Sequence, residues 1–178
     1  RIQKFNPDGA FIMKWGEAGA EPNDLNWPRA ITFDRSGALY VAEDQTFMNH
    51  IHRFDENGVY IDRWETFGSE EGQFDSPKGL AVSPDGFIYV ADTDNHRIQK
   101  FDKDGNFVSQ WGSFGDDDGM FIYPTRVAIG PDGCLYVAES WDQRLEFSNA
   151  RIQKFDANGV FISKWDNMIF GNLRFYDV

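Results

Sequence analysis

His50 and His52 are the residues whose type and spacing come closest to a metal-binding pattern. Residues two apart on a strand share one face, and imidazole nitrogens are preferred ligands of zinc. His52, however, corresponds to Gln99 and Gln153 in two similar segments, and we interpret this as an exposed position on a strand. The remaining histidine, His96, lies in a different sequence context. The sequence therefore predicts no transition-metal site.

A second candidate for metal binding is the oxygen-rich run Asp116-Asp117-Asp118. Hard cations such as Ca²⁺ prefer carboxylate oxygens of this kind. The ligand spacing of a helix–loop–helix calcium site is absent, and an acidic turn in contact with water explains the same residues. Calcium is therefore a weak candidate at this loop, and no other cofactor is predicted.

Charged residues also recur on both sides of one loop. The residues before it are Glu43, Asp92 and Glu139, and those after it are His50, Arg97 and Arg151. Opposite charges that face each other on paired strands stabilise the pair, so an ion pair is predicted to fix this hairpin in two copies. No spacing singles out a nucleophile with its base. The chain is accordingly predicted not to be an enzyme.

The loop recurs because the whole sequence is repetitive. Leu39-Tyr40-Val41-Ala42 returns at residues 88–91 and 135–138, at offsets of 49 and 47 residues. Prolines upstream, a basic residue followed by Phe downstream, and a closing tryptophan keep the same order. The prolines are Pro28, Pro77 and Pro124, and the tryptophans are Trp15, Trp64, Trp111 and Trp165. A repeat of this length is typical of propellers and other repeat architectures.

Each copy is predicted to form four short antiparallel strands. In the middle copy they cover residues 79–82, 87–91, 97–101 and 106–111, with Gly-containing turns after the first and third. Four strands in a unit of this length indicate a propeller blade, and blades bury their faces by stacking on one another. The predicted fold class is all-β, a β-propeller built of four-stranded antiparallel blades.

The middle copy, from Pro77 to Gly112, resembles the NHL repeat. The similarity lies in Pro-x-Gly-Leu-Ala-Val, in Asn95-His96 followed by Ile98, and in the Trp-Gly pair that ends the copy. It extends over about residues 1–165. The resemblance implies a propeller, usually six-bladed, that commonly serves as a binding platform.

A related propeller enzyme, the peptidyl-hydroxyglycine lyase, holds zinc with histidines at the start of the innermost strands. The residues that follow the three prolines here are Arg29, Lys78 and Thr125. None of them is a zinc ligand of that type, which weakens a lyase-like interpretation.

The chain is long enough for about three and a half blades. Residues 1–16 would supply the third and fourth strands of a first blade, and residues 17–65, 66–112 and 113–165 would be three further blades. Residues 166–178 form an aberrant tail with room for one further strand. We expect the remaining blades to come from missing sequence or another subunit; the alternative is that the tail pairs with residues 1–16 and closes a small ring. Because the chain lacks an initiator Met, it is predicted to be a processed or truncated piece.

The departures from the repeat are the predicted interaction sites. One loop insert carries Trp141, Leu145 and Phe147, and a shorter one carries Phe47 and Met48. Aromatic anchors among polar residues are typical of binding hot spots; the alternative is that these side chains fold back and cover the edge of the blade. The basic residues Arg29, Lys78 and Arg126 lie near the innermost strands. They would either form an anion-binding spot at the channel mouth or be solvated or ion-paired.

Charge and hydropathy exclude some classes of partner. The chain has 17 Lys and Arg against 29 Asp and Glu, a net charge of −12, which opposes nucleic-acid binding. Its apolar runs are too short to span a membrane. Cys134 is the single cysteine, so an internal disulfide is excluded. The leading functional hypothesis is a protein–protein assembly module; the alternatives are a propeller enzyme of lyase or hydrolase type, or an RNA-binding NHL domain.

Overall fold

A computed structural model describes residues 1–19, 21–45, 48–65, 67–139 and 150–166. Within these ranges the chain forms β-strands and turns, and contains no helix that is long and apolar enough to cross a membrane. The strands are β1 Ile2–Phe5, β2 Phe11–Trp15, β3 Pro28–Phe33, β4 Leu39–Gln45, β5 Met48–Phe54, β6 Tyr60–Glu65, β7 Pro77–Val82, β8 Ile88–Asp92, β9 Arg97–Phe101, β10 Phe107–Trp111, β11 Pro124–Ile129, β12 Leu135–Glu139, β13 Arg151–Phe155 and β14 Phe161–Asp166.

The strands form a hairpin and three antiparallel sheets. Strands β1 and β2 make the hairpin, β3–β6 the first blade, β7–β10 the second blade and β11–β14 the third blade, with sequence neighbours paired throughout. Strand β7 contacts both β3 and β11, so the blades follow one another with their first strands side by side. This arrangement confirms the predicted four-stranded antiparallel blades.

Proline and aspartate account for where the strands begin and turn. Pro77 is the first residue of β7, a position where the missing N–H costs no ladder hydrogen bond. Between β9 and β10, Asp102 Oδ1 accepts the N–H groups of Asp104 and Asn106, each at 2.9 Å. Gly105 follows with φ of +84°, which other residues adopt only with strain.

The core lies between the blades. In each blade an isoleucine and a tryptophan occupy the front face, which we define as the face toward the next blade in the chain. The rear face of the next blade presents a phenylalanine to that tryptophan. The ring centroids of Trp15 and Phe54 are 6.4 Å apart, those of Trp64 and Phe101 5.5 Å, and those of Trp111 and Phe155 6.1 Å. Stacking of repeats on their neighbours thus supplies the buried apolar surface.

A glycine in each following hairpin turn lies against the same tryptophan. A Cβ atom at Gly105 would lie 2.2 Å from Trp64 Nε1, and one at Gly159 would lie 2.5 Å from Trp111 Cδ2. Gly58 is placed in the same way against Trp15. The turn glycines are therefore required for blade stacking as well as for turn conformation.

Gly105→Ala should consequently lower the free energy of unfolding more than Gly86→Ala. Both glycines have positive φ, so both substitutions carry a conformational penalty of about 1–2 kcal/mol. Only Gly105 has an indole where the methyl group would go, and overpacking adds roughly 1–3 kcal/mol. Urea unfolding of the two variants measures the difference, and equal losses would show that the turn does not limit the stacking distance.

Candidate functional site

A buried polar network connects each full blade to the linker that precedes it. In the second blade Arg97 Nε donates to Asp92 Oδ2 at 2.7 Å, and Gln99 Nε2 donates to the same oxygen at 3.0 Å. Arg97 also donates to the carbonyls of Ser69, Glu70 and Gln73 at 2.8, 2.8 and 3.0 Å. The predicted cross-strand ion pair is therefore present, and its guanidinium holds the linker as well.

The third blade repeats this network. Arg151 Nε donates to Glu139 Oε1 at 2.7 Å, and Gln153 Nε2 donates to the same oxygen at 2.8 Å. Both side chains also donate to the Met120 carbonyl in the preceding linker. The carboxylate, the arginine and the glutamine together have a structural role in these two copies.

The first blade has histidines in place of the arginine and the glutamine. His52 Nε2 lies 2.7 Å from Glu43 Oε2, and His50 Nδ1 lies 3.4 Å from the same oxygen. The other carboxylate oxygen accepts the backbone N–H of Asn26 and, at 3.4 Å, that of Trp27. Glu43 and His52 are buried, and His50 is partly exposed. Among the described residues this is the group of three side chains whose ligand atoms lie close enough together, all within 4.8 Å, to hold a metal ion.

The environment of Glu43 keeps this carboxylate ionised. Burial raises its pKa, but hydrogen bonds from His50 and His52 and from the Asn26 amide outweigh burial and hold the pKa of Glu43 well below its usual range. In the second blade the balance is reversed, because burial raises the pKa of Asp92 against the opposing effect of the Asp75 amide and Arg97.

The prediction that His52, Gln99 and Gln153 occupy an exposed position is wrong. All three side chains are fully buried. Each of the three residues follows an isoleucine on its own strand and lies on the opposite, rear face. In the second and third blades this face lies under the preceding linker, where the glutamine amides find carbonyl and carboxylate partners. Gln99, for example, donates to the Gln73 carbonyl at 2.7 Å. The repeat itself contained the missed signal, since a glutamine at one strand position in two copies suggests a structural hydrogen bond.

A second candidate site is the front face of the third blade. Ile51 and Ile98 are fully buried beneath the following blade, whereas Ile152, at the same position, is 43 % exposed. Trp165 is 52 % exposed and stacks on Tyr136, with the two ring centroids 6.0 Å apart. Trp64 and Trp111, by contrast, pack into the core between blades. This exposed surface of Tyr136, Ile152 and Trp165 has the residue types of a blade interface.

The rear face of the hairpin β1–β2, which is the face away from the next blade, is exposed as well. Phe5 corresponds to Phe54, Phe101 and Phe155, which are buried against a preceding tryptophan. Phe5 itself is 52 % exposed, and its ring centroid lies 6.1 Å from that of Phe11. The turn residue Gly9 has φ of +81° like the other turn glycines, yet no atom of the described residues lies within 4 Å of its Cβ position.

Several predicted interaction residues lie outside what the structure describes. Trp141, Leu145, Phe147 and Phe47 fall on residues that are not described, and the side chain of Met48 is likewise not described. Their proposed roles stay predictions.

The three basic residues lie on the first strands of the three blades, with Arg29 on β3, Lys78 on β7 and Arg126 on β11. Arg29 Nε forms an ion pair with Asp44 at 3.2 Å, and Arg126 donates to the Lys78 carbonyl at 3.0 Å. An anion-binding role stays a prediction.

The residues of the acidic run Asp116-Asp117-Asp118 make contacts with basic side chains. Asp118 pairs with Lys164 at 2.9 Å, and Arg151 donates to the carbonyls of Asp116 and Asp117. Calcium binding at this loop stays a prediction.

These blades define the protein as a partial β-propeller, and comparison with known proteins agrees. Residues 74–101 match the NHL repeat, so the resemblance seen in the middle copy is confirmed. No curated protein matches the sequence.

Solved structures with the same fold include a Xanthomonas campestris gluconolactonase, at 19 % identity and a TM-score of 0.63. A virginiamycin B lyase from Staphylococcus aureus matches at 17 % identity and a TM-score of 0.63, and a nidogen/laminin complex at 18 % and 0.56. The matches cover 90, 94 and 79 % of this chain but 53, 48 and 49 % of the other chains. The chain thus spans about half the length of these proteins.

These matches correct the prediction that the chain is not an enzyme. Two of the three structures are enzymes, a gluconolactonase and a lyase, so the lack of a triad spacing in this sequence does not argue against catalysis on this fold. At this level of identity the matches establish the fold alone, and an enzymatic function is not excluded.

Proposed function

We propose that the chain acts in assembly, and that the front face of its third blade binds the rear face of the β1–β2 hairpin of a second copy of the chain. The observation that supports this is the exposure, on opposite ends of one row of blades, of two surfaces that are buried against each other at every junction inside the chain. Among the described residues, Trp165 has no counterpart of the phenylalanine and turn glycine that cover Trp15, Trp64 and Trp111. Within the same part of the chain, Phe5 and Gly9 have no counterpart of the tryptophan.

A third contact follows the same series. At each internal junction a basic residue of the third strand donates to a carbonyl in the next hairpin turn: Lys4 to Glu56 at 3.3 Å, Arg53 to Lys103 at 2.5 Å, and Lys100 to Ala157 at 3.0 Å. The next basic residue is Lys154, which pairs with Asp132 at 2.7 Å within its own blade. The corresponding turn carbonyl at the other end belongs to Pro7.

Two copies joined head to tail at both ends would be related by a two-fold rotation and would close a ring. Since one chain spans about half of the similar solved propellers, two copies would have the length of one such ring.

Light scattering tests the assembly directly. A particle of twice the 20.5 kDa mass of one chain is expected, and Trp165→Asp should weaken its association by roughly 30-fold or more, since aromatic anchors dominate such interfaces. Ile162→Asp is the matched control, because Ile162 is 48 % exposed and its equivalent in the covered second blade, Val108, is 46 % exposed. A 20.5 kDa particle at the highest soluble concentration would overturn the proposal, and the face would then belong to another partner or to further blades.

A mixing experiment identifies the head-to-tail geometry. Trp165→Asp and Phe5→Asp should each be monomeric alone, because each variant spoils both junctions of the ring. Mixed together, they can form one intact junction, between the Trp165 of one chain and the Phe5 of the other, so a fraction of dimer should reappear. No recovery in the mixture, with both variants folded by circular dichroism, would contradict a head-to-tail interface.

A further inference from the structure

We infer that Glu43, His50 and His52 form a zinc site that the first blade has in place of the structural network of the other two. The three residues occupy the positions of Asp92, Arg97 and Gln99 in the second blade, as the strand pairing shows. The inference is independent of the proposed assembly, because the site lies within one blade.

The replacement removes the structural role that the network has elsewhere. The arginines and glutamines of the second and third blades donate to linker carbonyls, whereas among the described residues neither histidine of the first blade does so. Among the described residues, the hydrogen-bond partner of both histidine rings is Glu43 alone. A guanidinium donor and an amide donor have thus been replaced by two imidazole rings, which can supply nitrogen lone pairs.

The ligand atoms lie close enough together for one zinc ion to reach all three. Donors bound at about 2.0–2.2 Å to a tetrahedral ion lie roughly 3.3–3.6 Å from one another. His50 Nδ1 is 3.4 Å from Glu43 Oε2, and His52 Nε2, now at 2.7 Å, has to move by less than roughly 1 Å.

The surroundings hold one ligand and leave the others adjustable. The Asn26 and Trp27 amides hold the second oxygen of Glu43, as outer-shell donors do in metal sites. The Nδ1 atom of His52 has no hydrogen-bond partner among the described residues, so the contact of Nε2 with Glu43 is the one hydrogen bond of this ring that a zinc ion would replace. The ring is stacked on Phe54 at 6.1 Å, which fixes its plane.

The donor set also indicates the kind of ion and its chemistry. Two imidazoles and a carboxylate suit zinc and similar transition ions, whereas calcium and magnesium prefer oxygen alone. The His50 side chain is 13 % exposed, so solvent reaches this edge of the group. Three protein ligands with a position open to water is the arrangement of catalytic zinc sites.

Calorimetric titration of the metal-free chain with zinc chloride tests the site. We expect one ion per chain with micromolar or tighter affinity, no comparable binding of calcium or magnesium, and a higher melting temperature with zinc present. The double variant His50→Arg/His52→Gln restores the residues of the other two copies, so it should fold while binding zinc at least roughly 100-fold more weakly. Cys134→Ser should bind as the parent does, since Cys134 lies on the third blade.

Cobalt absorption gives a second readout. Cobalt bound to two nitrogens and an oxygen should show the visible bands of a four- or five-coordinate ion, without the intense near-ultraviolet band of a thiolate ligand. The inference would be overturned if the parent chain bound no zinc. It would also be overturned if zinc binding were unchanged in the folded double variant and in Glu43→Gln.

Discussion

Arg97→Ala is expected to lower the free energy of unfolding by about 3–5 kcal/mol, because it leaves the buried Asp92 carboxylate without its counter-charge. The substitution also removes the donors to the Ser69, Glu70 and Gln73 carbonyls, which are the contacts that hold the linker onto the blade. Urea unfolding, in a Trp165→Asp background so that association does not contribute, measures the loss. Lys103→Ala is the control, since its ion pair with Asp104 is exposed and should contribute close to nothing.

The loss in Arg97→Ala should shrink as the pH falls. Burial already raises the pKa of Asp92, and without Arg97 that pKa rises further. A carboxyl whose pKa is raised on folding binds its proton more tightly in the native state, so stability is lost as pH rises through that pKa and regained as pH falls through it. The difference between parent and variant should therefore narrow in acid. A difference that is constant with pH would show that lost linker contacts, rather than an unpaired charge, account for the effect.

Phe101→Ala is expected to cost about 3–5 kcal/mol, whereas Phe5→Ala should cost far less, although the two residues occupy the same repeat position. Phe101 is buried between Trp64 and Phe74, with ring centroids at 5.5 and 5.4 Å, and its removal leaves a cavity between two blades. Phe5 is more than half exposed and contacts Phe11.

Both phenylalanine variants are best measured by urea unfolding in the Trp165→Asp background, where the hairpin face has no partner chain. Equal losses would mean that the phenylalanine stabilises its own sheet rather than the junction between blades. A small loss in both would indicate that the blades unfold independently of one another.

Much of the fold follows from the sequence because the signals are local and repeated. Each copy has a proline at its first strand, Asp-x-x-Gly at its third turn and a tryptophan at its last strand. The strands lie where these residues predict them. The predicted strand at 97–101 is observed with the same bounds. Strand β7 begins at Pro77 rather than at Gly79, because Pro77 pairs with Asp92 across the ladder.

The candidate zinc site was less accessible to prediction. The shared face of His50 and His52 follows from strand alternation, but the sequence does not show that Glu43 bridges them or that a linker covers them. Burial of a polar side chain depends on partners that are distant in the chain, such as the carbonyls that Gln99 and Gln153 reach. For that reason the polarity of these positions suggested exposure.

The pentapeptide Arg-Ile-Gln-Lys-Phe separates what the local sequence determines from what the tertiary structure determines. It occurs at residues 1–5, 97–101 and 151–155, and in all three places it forms a strand, because its alternation and its following turn specify strand locally. In the second blade every residue of it is buried, in the third blade only Gln153 and Phe155 are, and in the hairpin none is. The sequence by itself determined the strands, turns and repeats of this protein. The tertiary structure decided which copies are buried, since burial comes from the blade stacked on each face and not from the strand's own residues.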